Sequence, residues 1–339
     1  MAAEDQRPGT VYWIDHFAVP SNDLDRWIKF QVNVLGAKLE RINGLTTEAR
    51  QRNQGVAAFC RTPYSMVDAF LSPQQVPAAG EPGAGWPRFG FFIRAEDVDE
   101  HLRRLDEHQV PHTDPIRTSA EGQEGTAIRF ADSDGNQLEF WAPTRMPAGA
   151  MAGATSAKVG RISHAVYESR DLERTADFFD RFAALDPIVN ADVGKDTLAM
   201  PLAGGGRIVY HKVDELGPWT LARSSGGPHA ALTVRDEDFW GNYRRMWATL
   251  PEGDRPESTE STAGFPALPA RTILHGSGGG RRWFKMYGRG DDFYDWDANA
   301  FHFIGSVGME QSPELTYRAH SMDWHSERVA KDANGRPIV

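Results

Sequence analysis

Ile14–Trp27, IDHFAVPSNDLDRW, and Ile162–Thr175, ISHAVYESRDLERT, decide how this chain folds. Both read I-x-H-x6-D-L-x-R without a gap. The segment before each Asp alternates as a strand does. The segment after it has apolar residues at helical spacing: Leu24, Trp27, Ile28, Val32 and Leu35 in one copy, Leu172, Ala176, Phe179 and Ala183 in the other. Asp23 and Asp171, or a neighbour of each, can accept from the free N–H groups of the first helical turn.

Two further correspondences extend the repeat outward. PRFGFFIRAEDVDEHLRRL from Pro87 matches PHAALTVRDEDFWGNYRRM from Pro228, each an apolar strand, an Arg, an acidic cluster and a helix. Arg88 and His229 are equivalent in this register. The second helix would carry Phe239, Tyr243, Met246, Trp247 and Leu250 on one face. FADSDGNQLEFW from Phe130 matches FYDWDANAFHFI from Phe293, both strand–turn–strand, so Glu139 and His302 are equivalent. Gly135 suits a positive φ in its turn, and Ala298 suits it less.

The chain therefore reads as strand–helix–strand–strand–strand four times over, an α+β fold of four βαβββ modules paired into two domains with curved mixed β-sheets enclosing a cavity. The domains are expected at residues 1–143 and 161–306, joined by a linker over 144–160 and followed by a tail over 307–339. The linker lies in an Ala-, Gly- and Pro-rich run, Ala142–Gly160. Pro251–Ala270, rich in Pro, Glu, Ser and Thr, is expected to be a solvated loop. The length of 339 residues also suits two domains.

With 37 Lys+Arg against 47 Asp+Glu, the net charge of −10 argues against a nucleic-acid surface, which needs a basic stripe. A single cysteine, Cys60, excludes an intrachain disulfide and fits a reducing compartment. The first residues do not read as a secretory signal, and no apolar run is long enough to cross a membrane. A cytoplasmic protein without a membrane partner, able to form a homo-oligomer through its sheet edges, is expected.

The repeat picks out three histidines. His164 lies on the first strand of the third module, His229 on the first strand of the fourth, and His302 on its last. A transition metal needs three or more donors converging from different strands, and strand alternation lets each aim one side chain at a shared face. A single histidine is more often a hydrogen-bonded structural residue than a ligand; the shared register makes the case for the set. The first half has His16, Arg88 and Glu139 at the matching places. Arg88 brings no lone pair to a metal and is expected to pair with Glu139 or Asp68. The N-terminal domain is therefore expected to be metal-free.

These residues resemble the vicinal oxygen chelate superfamily, which takes in glyoxalase I, fosfomycin and bleomycin resistance proteins and extradiol dioxygenases. DSDGNQLEFW is similar to that superfamily's D-x-D-G-N-x-x-E-F ending, and the four-module length looks like the two-domain type I extradiol dioxygenases. That resemblance implies Fe(II), with Mn or Zn as alternatives, held by His164, His229 and His302, and a small catechol- or hydroquinone-like aromatic substrate together with O2. The family's third ligand is Glu, and here it is His302, which leaves the ion's charge uncompensated and can alter the chemistry. The resemblance also implies His211 as a general acid/base and Tyr294 as a hydrogen-bond partner of the substrate, with Tyr287 and His275 as looser alternatives to Tyr294. Asp292, Asp295 and Asp297 could supply a carboxylate. Other readings are a lyase, isomerase or hydrolase of the same fold using Mn or Zn, or a metal-free aromatic-binding protein.

Overall fold

The computed structural model describes residues 11–43, 56–63, 65–72, 76, 81–83, 85, 87–118, 123–151, 158–187, 195–217, 229–235, 285–287, 290–294 and 300–306. In chain order the elements are β1 (Trp13–Ser21), α1 (Leu24–Val34), β2 (Lys38–Asn43), β3 (Ala57–Arg61) and β4 (Met66–Leu71). Then come β5 (Arg88–Phe92), a 3-10 turn over Ala95–Asp97, α2 (Val98–Glu107), β6 (Ile116–Thr118), β7 (Gly125–Ala131) and β8 (Gln137–Pro143). The second half has β9 (Ile162–Ser169), α3 (Leu172–Ala183), β10 (Thr197–Pro201), β11 (Arg207–Lys212), β12 (His229–Arg235), β13 (Lys285–Tyr287), β14 (Gly290–Tyr294) and β15 (Ala300–Ser306). The repeating strand–helix–strand–strand–strand order expected from the sequence is visible in the first two modules. The helix expected after β12, the Pro251–Ala270 loop, the glycine-rich run at 275–283 and the tail from 307 lie outside the described residues.

Both helices that open a half start as their sequence dictates. Asp23 Oδ1 accepts from the Arg26 amide at 3.0 Å, and Asp171 Oδ1 accepts from the Arg174 amide at 3.0 Å. Each cap residue is extended, with φ of −146° and −144°. The matched caps satisfy donors that a helix start otherwise leaves open.

The strands join in one mixed sheet with the order β13-β14-β15-β12-β1-β9-β5-β8-β7-β6; β4, β3 and β2 branch from β1, and β11 and β10 branch from β9. At the centre of this path, hydrogen-bonded neighbours come from opposite halves of the sequence. β1 pairs antiparallel with β12, and β9 pairs antiparallel with β5. The first module thus abuts the fourth, and the second abuts the third. The two assemblies meet where β1 and β9 touch, with Ile14 opposite Ile162. These are the same position of the repeat, so the contact sits on an approximate two-fold axis.

The core lies between the sheet and its helices and is continuous through that junction. Phe17 of β1 stacks on Phe89 of β5 with centroids 4.0 Å apart and planes 2° from parallel, and Tyr167 meets Phe89 edge-on. The described ends of the expected linker are packed: Ala150, Met151 and Val159 are buried, and the Gly160 amide donates to Phe92 O at 2.7 Å.

The DSDGN turn between β7 and β8 ties the second module to the first. Gly135 has φ of 85°, as its turn position requires. Asp134 accepts from Ser21 Oγ at 2.6 Å, from the Asn22 amide at 3.2 Å and from Arg26 Nη2 at 3.0 Å, just ahead of and within the first turn of α1. Asp132 accepts from Trp27 Nε1 at 3.0 Å and from Asn136 Nδ2 at 2.8 Å. Burial pushes Asp132 up to about 7, against the hydrogen bonds from Asn136 and the Asp134 amide that pull it down. Among the described residues, no helix is long and apolar enough to cross a membrane.

These packed polar groups can be probed by substitution. Asp132→Ala strands the Trp27 indole N–H and two backbone amides, so it should cost about 2–4 kcal/mol of unfolding free energy, read from chemical denaturation. His101 of α2 lies buried against Phe140, centroids 4.5 Å apart, and burial followed by Arg104 lowers its pKa to about 4 from 6.5. Between these values the unfolded chain takes up a proton that the folded chain refuses, so this group makes the fold less stable as pH falls from 6.5 to about 4. Asp132 acts in the opposite sense over an overlapping range, so the readout is the difference between parent and His101→Leu at each pH. That difference should move against the parent by about 3 kcal/mol on acidification. A constant difference would show that His101 does not titrate this way.

Candidate functional site: two cups related by the repeat

The strand register defines two equivalent rows, one in each assembly. In the first, His16 of β1 stands opposite Ala231 of β12, and Ala231 stands beside His302 of β15. His229 lies two residues before Ala231, so the backbone register puts positions 16, 229 and 302 on one face. In the second row, His164 of β9 stands opposite Gly90 of β5, and Gly90 stands beside Glu139 of β8. Arg88 lies two residues before Gly90.

The described side chains of the second cup close on one another. His164 is fully buried, with Nε2 3.2 Å from Glu139 Oε1. Glu139 Oε2 lies 3.0 Å from Arg88 Nε and 3.0 Å from Arg129 Nε. Arg88 thus meets Glu139, one of the two carboxylates expected for it. The imidazole of His164 lies flat over Gly90: a Cβ built there would sit 2.2 Å from its Cε1. Any larger residue at 90 would displace the ring. Trp141 stands edge-on to His164 at 6.2 Å, and the Arg207 guanidinium lies over Trp141 at 5.6 Å while its Nη2 bonds Gln123 Oε1. One carboxylate therefore stands within 3.2 Å of two guanidiniums and an imidazole, with both guanidiniums on Oε2 and the imidazole on Oε1.

The first cup is built differently. His16 is buried, with Nδ1 3.0 Å from Asp15 Oδ2 and Nε2 3.8 Å from Asp68 Oδ2. Asp68 is fully buried on β4, one step along the face from His16, since Ala18 pairs with Asp68 and His16 with Met66. Around Asp68, residues Ala57, Phe59 and Met66 with Phe70 form an apolar cluster separate from the main core. Val209 of β11 occupies the place of Asp68 in the second cup, because it pairs with Val166 as Asp68 pairs with Ala18. Cys60, next to Phe59, is a buried thiol whose pKa burial raises, and Asp68 and Glu40 raise it further. It is not a thiolate ligand in this state.

The structure separates the residues that the repeat grouped together. β12 and β15 lie beside β1, and β9 lies on the other side of β1. His16, expected to be outside the metal centre, therefore holds the place beside β12 that the repeat gave to His164. His164 belongs instead to the Glu139 cluster. His211 is half-buried on β11, with Nδ1 3.2 Å from Thr197 Oγ1, and β11 branches from β9 rather than from the first cup. Tyr294 pairs with Ala300, two residues before His302, which places positions 294 and 302 on one face. The side chains of His229, Tyr287, Asp292, Tyr294 and His302 lie outside the described residues, as do His275, Asp295 and Asp297 entirely. Among the described residues no three potential ligand groups converge. The described part of the first cup contributes one imidazole whose outer nitrogen faces a buried carboxylate. Asp15 was missed as a neighbour of a site, and Asp68, expected only as a partner of Arg88, stands beside His16; a carboxylate inside the apolar run MVDAFL was the available signal for the latter.

Comparison with known proteins fits this architecture. Residues 13–140 match the model of the Glyoxalase/Bleomycin resistance protein/Dioxygenase superfamily. No curated protein matches the chain in sequence. Among solved structures, a candidate dioxygenase from Bacillus subtilis superposes with a TM-score of 0.58 at 16% identity, covering 93% of this chain and 95% of its own. Glyoxalase I from Zea mays superposes with a TM-score of 0.56 at 14% identity, covering 92% of this chain and 96% of its own. The family model matches β1 to β8, and the two solved structures share the fold along the rest of the chain.

Proposed function

We propose that this protein is a non-haem Fe(II)-dependent dioxygenase that opens the ring of a catechol- or hydroquinone-like aromatic, with His16, His229 and His302 as the metal ligands. The observation that carries the reading is the row across β1, β12 and β15, in which positions 16, 229 and 302 share one face beside the His16–Asp68 pair. His164, the ligand expected from the sequence, is engaged by Glu139 in the other cup. The donor chemistry fits: imidazole is a good ligand for ferrous iron, and the buried ring of His16 turns Nε2 toward the cup. An apolar wall containing Phe59, Met66 and Phe70 suits an aromatic ring.

Bound iron would supply Lewis acidity toward two phenolic oxygens and electron exchange with dioxygen. The protein's own groups do the rest. Three imidazole ligands bring no negative charge of their own to the ion, which favours an anionic substrate oxygen. Asp68, buried within 3.8 Å of His16 Nε2, accepts the proton that a phenol gives up as it binds. Phe59 and Phe70 exclude water and hold the ring edge. Tyr294, on the face of position 302, hydrogen-bonds a substrate oxygen in this reading. His211 stays outside it, because β11 belongs to the other assembly.

Anaerobically purified protein should carry about one equivalent of iron and consume oxygen with simple diphenols. His16→Ala, His229→Ala and His302→Ala should each lose most of the metal by elemental analysis, and His164→Ala should keep it. If His164→Ala loses metal and His16→Ala keeps it, the ligand assignment is wrong. Zinc or manganese without oxygen uptake would point to a lyase, isomerase or hydrolase on the same ligands. Asp68→Asn should retain metal while turnover falls by roughly 100-fold or more.

A further inference from the structure

We infer that Asp15 is the positioning residue of the metal centre: it fixes the protonation and aim of His16 so that Nε2 presents its lone pair to the cation. The inference rests on the reading of His16 as a ligand. In a regular strand, consecutive side chains leave opposite faces, so Asp15 and His16 should not meet. The β1–β12 pairing shifts between Ile14 and His16 and skips Asp15. An extra residue of this kind bends the strand and re-aims a side chain. Here it brings Asp15 Oδ2 to 3.0 Å from His16 Nδ1. Both residues are buried, at 4% and 1% exposure, so solvent screens the contact little. A carboxylate accepts only, and Asp15 at 3.0 Å is within hydrogen-bond distance of Nδ1 whereas Asp68 stands 3.8 Å from Nε2, so the contact favours the proton on Nδ1 and Nε2 as the atom offered to the cation.

The other half of the chain supplies an internal comparison. The β5–β9 pairing shifts in the same place, matching Gly90 to His164 and Phe91 to Ile162 and skipping Ser163. Ser163 Oγ lies 3.0 Å from His164 Nδ1. The duplicated backbone therefore aims the preceding side chain at the imidazole in both halves. A hydroxyl can donate or accept, so Ser163 does not select a tautomer, and it brings no charge. Only Asp15 puts a negative group behind the ring, which strengthens imidazole as a donor to a cation.

The test is cobalt(II) titration of the metal-stripped full-length protein by calorimetry and visible absorption, with parent, Asp15→Ala, Asp15→Ser and His16→Ala. Asp15→Ala should weaken cobalt binding by about 10- to 100-fold. Asp15→Ser should fall between parent and Asp15→Ala, since it recreates the Ser–His pair that the other half already folds with. Should Asp15→Ala fail to fold, Asp15→Ser carries the comparison. An independent readout needs no metal: in ¹⁵N NMR, the imidazole whose signals vanish in His16→Ala should be protonated at Nδ1 in the parent and should shift toward Nε2 protonation in Asp15→Ala. If both Asp15 variants bind cobalt as the parent does while His16→Ala does not, the inference fails and the metal centre stands. If the parent takes up no cobalt, or His16→Ala binds it as the parent does, the ligand reading fails and this inference falls with it.

Discussion

The contact on which the architecture depends is the crossing of β1 and β9 at Ile14 and Ile162. Each of these strands is hydrogen-bonded to three others, so each organises an assembly of its own: β1 with β12 and β4, β9 with β5 and β11. Because the crossing joins equivalent repeat positions, every residue of one cup has a counterpart in the other. The stacked Phe17 and Phe89 and the edge of Tyr167 seal the junction from the core side. The burial of such rings stabilises the junction and fixes the register, since a slip of one residue would exchange the core and cup faces of a strand.

The symmetry makes the divergence of the cups easy to read. Arg88, Gly90, Glu139, Ser163, His164 and Val209 answer to His229, Ala231, His302, Asp15, His16 and Asp68. In the cup of His164, the buried carboxylate of Glu139 is matched by Arg88 and Arg129, which is how a buried charge becomes tolerable. The glycine at 90 makes room for the His164 ring. In the cup of His16 the carboxylates instead flank the imidazole, one at each ring nitrogen. One cup thus sets guanidiniums against its carboxylate, whereas the other sets carboxylates beside an imidazole.

The turn Asp132–Asn136 shows how a family-like motif can work through structure rather than chemistry. Its carboxylates take donors from Ser21, Asn22, Arg26 and Trp27, across 105–113 residues of sequence. The turn therefore holds the start of α1 and the exit of β1 against the second module. The strand that carries His16 is fixed at both ends, by this turn and by the β1–β9 crossing.

Much of this was legible in the residues alone. The I-x-H repeat, the Asp caps and the alternation before them established strand, helix and module order, because those depend on local periodicity and short-range hydrogen bonds. The glycine of DSDGN announced its positive φ, and Arg88 announced that its cup would need a carboxylate. Which modules pair was not legible. Strand partners are chosen by burial of faces far apart in sequence, and four similar modules can pair within a half or across halves with the same local pattern. That choice alone moves His16 beside β12 and β15 and carries His164 away. The bulge at Asp15 was equally hidden, because a one-residue shift in register leaves no mark on composition and becomes visible only when the partner strand is in place.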